Sequence, residues 1–99
     1  MYIKIISTYR TIVAIADADL VGKKFEEGSL QLDVKESFYK SEKLFSEKEA
    51  IETIQDMIKE DATFNIVGEK SIRAALKAGV IEEEEIKRVD GIPFTLILL

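Results

Sequence analysis

The chain has 99 residues, 46% apolar and 33% charged, with a net charge of −5. That composition predicts one compact domain, 1–99, and excludes intrinsic disorder as its overall state. With no cysteine and no histidine, disulfides, thiol nucleophiles, sulfur or imidazole zinc sites and the commonest general base are all excluded.

From the N-terminus, "YIKIISTY" and "TIVAIAD" are two β-rich runs joined around Tyr9 and Arg10, a predicted hairpin. "DADLVG" then reads as a turn or a single helical turn capped by Asp17. "GKKFEEG", bracketed by Gly22 and Gly28, reads as an exposed loop, and "SLQLDV" as a third strand with Leu30, Leu32 and Val34 on one face. In the ambiguous "SFYKSEKLF", Phe38, Tyr39 and Phe45 are the expected core anchors. Ser46 and Glu49 form a capping box ahead of Ala50, Ile51, Ile54, Met57 and Ile58, an apolar stripe at helical spacing. The predicted helix runs from Ser46 to Asp61, with Glu49, Glu52, Asp56 and Lys59 on its solvated face.

"TFNIV" is a short strand, and Gly68 precedes a helix predicted over Glu69 to Ala78, with Ile72, Ala75 and Leu76 inward and Gly79 as its left-handed stop. After Glu82 to Glu85, expected as a hydrated acidic segment, "IKRV-DG-IPFTL" carries the strongest hairpin signal in the chain. Pro93 cannot donate to a ladder, so its strand belongs at an edge or Pro93 occupies a non-bonded position. The predicted fold class is α+β: a largely antiparallel or mixed sheet of two hairpins plus one or two further strands, with two helices packed on one face.

No catalytic constellation emerges, so the chain reads as non-enzymatic and without a cofactor or metal. "DADLVGKK" and "GEKS" both fail the Walker pattern, which needs Gly-Lys-Ser/Thr after a glycine and four residues. Asp17 and Asp19 lack calcium-loop spacing. Phosphate contact has a better candidate in the helix after Gly68, whose first amides lack intrahelical partners. Lys70, Arg73 and Lys77 form one basic stripe on that helix, and Lys23 and Lys24 form a second small patch. Tyr2, Tyr9, Phe38 and Tyr39 offer faces that either stack on unpaired bases or fill the core. The N-terminus has no basic leader or long apolar segment, and "FTLILL" is too short to span a bilayer, which predicts a cytosolic protein with no membrane partner.

The positions Gly22-Lys23, Glu27-Gly28, Phe38-Tyr39, Asn65, Val67-Gly68-Glu69, Gly79 and Gly91-Ile92-Pro93 together resemble the small archaeal family known as domain of unknown function 424. The resemblance reaches from Met1 to about Pro93 and implies an archaeal cytosolic protein with an RNA-binding or translation-associated role. The family commonly continues after the proline with a histidine, a small residue and a glutamine. Here the chain continues Phe94-Thr95-Leu96-Ile97-Leu98-Leu99, an apolar tail suited to burial against the core or a partner.

Two functions follow as expectations. The first is an RNA-associated accessory protein, meeting RNA or a ribonucleoprotein through Lys23, Lys24, Lys70, Arg73, Lys77 and the amides at Gly68. Because the net charge opposes polyanions, this requires the two basic segments to converge. The alternative is an adaptor or homodimer that uses its acidic surface and an apolar C-terminal edge strand to hold a basic protein or a second copy.

Overall fold

A computed structural model describes residues 1–98. Leu99, the end of the apolar tail, lies outside them. β1 (Tyr2–Ser7) and β2 (Thr11–Ala16) fold back on each other as the expected antiparallel hairpin. β2 then lies parallel to β5 (Thr63–Val67). β7 (Ile92–Ile97) pairs antiparallel with β5 on one side and with β6 (Lys87–Val89) on the other. The sheet order is therefore β1-β2-β5-β7-β6, mixed, with a single parallel junction among the described residues.

A parallel junction needs a long crossover. Residues 17–62 supply it, and they cover both faces of the sheet on the way. A second hairpin, β3 (Lys24–Glu27) and β4 (Leu30–Asp33), and a one-turn helix α1 (Glu36–Tyr39) cover one face. Their Phe25, Val34 and Tyr39 pack with Ala14, Ala16 and Val67 of the sheet. On the other face lie α2 (Glu47–Ile58) and, after β5, α3 (Glu69–Ala78). Their Ala50, Ile54, Ile72 and Ala75 pack with Val13, Ile15, Phe64 and Ile66. β2 is buried on both sides, which is why it reads as a continuous apolar run rather than an alternating one.

The local signals explain where the elements stop. At α2, the Ser46 hydroxyl accepts from the Glu49 amide at 3.2 Å, and the Glu49 carboxylate accepts from the Ser46 amide at 3.0 Å. That is the reciprocal capping predicted from the sequence. Gly79 ends α3 at φ 82°, and Asp90 and Gly91, at φ 52° and 78°, turn β6 into β7.

Three expectations change in detail. "GKKFEEG" is not all loop, because Lys24–Glu27 pairs with β4 and Phe25 turns inward onto the second core; Gly22 and Gly28 bracket a strand. A third hairpin and a third, short helix join the plan. The C-terminal strand is not an edge along its first half: Pro93 sits between β5 and β6, opposite Arg88, with its carbonyl accepting from the Gly68 amide at 2.8 Å. Its missing N–H falls at a position where the ladder needs none.

Candidate functional site

The N-terminus of α3 is already occupied by an anion from within the chain. Asp17, just past the end of β2, turns its carboxylate onto it. Oδ1 accepts from the Ser71 amide at 2.8 Å and the Ser71 hydroxyl at 2.7 Å, and Oδ2 accepts from the Lys70 amide at 3.1 Å. Asp17 is buried, so this is an internal cap that satisfies orphan donors and complements the helix dipole. Gly68 allows it: a Cβ there would stand 2.3 Å from the Asp17 Cγ. The Gly68 amide itself is spent on Pro93. The expected phosphate cradle at Gly68 is corrected accordingly, and Asp17 is not turned toward Asp19 to hold a cation. Among the described residues, no group of three or more acids is placed to bind a metal ion.

The basic residues do not form one surface. Arg73 Nε donates to Glu47 Oε2 at 2.9 Å, and Lys77 Nζ pairs with Glu47 Oε1, so α2 neutralises two of the three stripe cations. Those two contacts, Lys77 first and Arg73 second, hold the Glu47 carboxyl below its usual range. Lys70 lies with them on the face carrying α3. Lys23 and Lys24 belong to the turn and hairpin covering the opposite face, where Lys24 stands across from Asp33 and close in sequence to Glu26 and Glu27. The hairpin carrying Lys24 and the helix carrying Arg73 and Lys77 thus cover opposite faces of the sheet, and the five basic residues are not gathered on one face.

A different feature stands out at the far end of the sheet from Gly68. β6 stops at Lys87, opposite Phe94, while β7 continues to Ile97. The Pro93 carbonyl points to Gly68, so Pro93, Thr95 and Ile97 direct their main-chain groups toward β5. By the alternation of an antiparallel strand, Leu96 directs its N–H and C=O to the side that β6 has left open. Its side chain shares the side of Phe94, beyond the reach of the β3–β4 hairpin, and is 56% exposed; Leu98 is 70% exposed. On β5 the adjoining positions are the half-buried Asn65, opposite Leu96, and the buried Thr63, beside Ile12; beyond them Ile6 pairs with Ile12, both half-buried, and Tyr9 is fully exposed in the adjoining turn.

A cleft of about 430 Å³ runs along the open edge, lined by Glu85, Lys87, Phe94, Thr95, Leu96 and Ile97. A wider groove of about 700 Å³ lies along β1 and includes Lys4, Glu36 and Lys40, but the Lys4 ammonium there is engaged with the Ser37 carbonyl at 2.8 Å. No helix among the described residues is long and apolar enough to cross a membrane.

The model of the family described as "Protein of unknown function (DUF424)" matches residues 6–99. The chain belongs to that family. No curated protein matches this DUF424 chain. A crystal structure of an uncharacterized conserved protein from Methanopyrus kandleri is similar to it, with a TM-score of 0.86 and 24% identity, over 97% of this chain and 88% of that one. At that identity the likeness speaks for the fold alone.

Of the residues that matter in the DUF424 chain, the sequence signals missed two groups. Asp17 looks like a local turn residue, and its partners lie 53 and 54 residues away. Ile6 and Ile12 look like ordinary strand positions, and in the fold both are only half-buried. Leu96 and Leu98 were within the suspected apolar tail, though the open edge begins later than expected.

Proposed function

We propose that this DUF424 chain is a non-catalytic protein-interaction module that docks a cytosolic partner protein on the bare end of its sheet. The observation that carries the reading is that β7 outruns β6, leaving the Leu96 main chain without a strand partner on that side among the described residues, beside exposed Leu96 and Leu98 side chains. An open strand edge offers directional donors and acceptors, and the exposed Leu96 and Leu98 side chains offer apolar area to bury; together they are what strand addition requires. The dispersal of the basic residues, and the internal Asp17 cap, weigh against the expected RNA contact through a single patch.

Site-specific photocrosslinking tests this. A benzoylphenylalanine replaces Leu96 in one variant and the outward-facing Asp56 of α2 in another. Adducts at position 96 that are protease-sensitive and nuclease-resistant, and absent at position 56, are the expected result. Nuclease-sensitive adducts at position 96 would favour RNA association and overturn the reading, as would equal yields at the two positions.

A further inference from the structure

Resting on that interaction edge, we infer that its occupant is an extended basic segment of a partner protein, in which aliphatic residues alternate with lysine or arginine. The register of the sheet defines the vacant place. Lys87 stands opposite Phe94, so the next hydrogen-bonding position, facing Leu96, would fall to Glu85. The chain turns aside there instead. Glu83–Glu85 forms a single 3₁₀ turn in which the Glu85 amide donates to the Glu82 carbonyl at 3.0 Å. The Glu85 carbonyl accepts from the Thr95 hydroxyl at 3.0 Å, which pins the turn against β7. A strand laid along Leu96 and Leu98 would continue the line of β6 and abut this turn.

The surroundings select the strand's chemistry. One set of its alternating side chains would lie beside Phe94, Leu96 and Leu98, which favours aliphatic residues. The end next to the turn meets the acidic segment Glu82–Glu85, of which Glu85, its carboxylate accepting from the Glu82 amide at 2.8 Å, lines the cleft together with Lys87. Glu84, through its hydrogen bond and its charge, and then Glu85 push the Glu82 carboxyl above its usual range. That repulsion is what an incoming cation relieves. A second copy of the chain is the less suitable occupant, because each copy carries the same glutamate run and a net charge of −5.

Titration of isotopically labelled protein with acetyl-Lys-Val-Lys-Val-Lys-Val-amide, followed by amide chemical shifts, tests the inference. Shifts should centre on Thr95, Leu96 and the Glu82–Glu85 turn. Affinity should exceed that of the Glu-Val counterpart roughly tenfold at low salt and converge with it as salt rises. N-methylation of the peptide amides that face β7 should abolish the shifts. Equal binding of the acidic peptide, or shifts centred elsewhere, overturns the basic occupant while leaving position-96 protein crosslinks intact. Loss of those crosslinks themselves overturns the interaction edge.

Discussion

The Asp17 carboxylate occupies the space that a side chain on Gly68 would need, with Cγ 2.3 Å from the position of a Cβ. Gly68 also holds φ 107° and ψ 155°, a conformation that side-chain-bearing residues rarely adopt. Gly68→Ala should therefore cost about 3 kcal/mol, from backbone strain and displacement of the cap together. Asp17→Ala should cost about 2 kcal/mol by stranding the Lys70 and Ser71 amides. Because both act at one contact, Gly68→Ala should cost less in the Asp17→Ala background than alone. Denaturant unfolding of the four-member cycle checks it; strictly additive losses would contradict the shared contact.

The α2 capping box should be visible in acid. Its Glu49 carboxylate takes the Ser46 amide and the Lys43 ammonium, which lower its pKa to about 2 from 4.5. A depressed carboxylate stabilises the fold above its unfolded pKa and loses that contribution as pH falls through the folded value. Between pH 4.5 and about 2, wild type should lose stability relative to Glu49→Gln. Parallel stability curves for the two proteins across that window would rule it out.

Tyr39 sets the alkaline limit. Burial under the sheet raises its hydroxyl from 10.0 to about 12, so the fold favours the neutral phenol. That preference is intact below pH 10 and is lost as pH rises toward 12. Tyr39→Phe should lack this alkaline loss, as followed by thermal unfolding across the window. A tyrosinate absorbance titration should show a late phase at about pH 12 that is absent from Tyr39→Phe.

Substitution at the open edge should separate binding from stability. Leu96→Lys changes an exposed side chain with no covering element, so stability should move by about 0.5 kcal/mol or less. Protein docking at the bare end should nevertheless fall, because a cation replaces apolar contact area. A Leu96→Lys protein that unfolds readily would show that Leu96 supports the core instead.

Much of the fold was legible because its signals are local. Ser46 and Glu49 lie three residues apart, Asp90 and Gly91 form the turn themselves, and Gly79 stops α3 by its own backbone freedom. β3 was hidden because Lys24, Glu26 and Glu27 mask the one inward residue, Phe25. Its pairing with β4 and burial against the sheet overrode the polar composition.

By itself, then, the sequence determined the α+β class, the two main helices with both ends of α3 and the start of α2 (which stops at Ile58, short of the expected Asp61), and a core without thiol or imidazole chemistry. Those properties depend on short-range hydrogen bonds and on the period of apolar residues. The tertiary structure alone decided which groups meet: that Asp17 reaches α3, that Glu47 claims Arg73 and Lys77, and that α3 and the hairpin carrying Lys24 cover opposite faces of the sheet. It also decided where β6 ends beside β7, because strand pairing joins residues whose separation along the chain leaves no local mark.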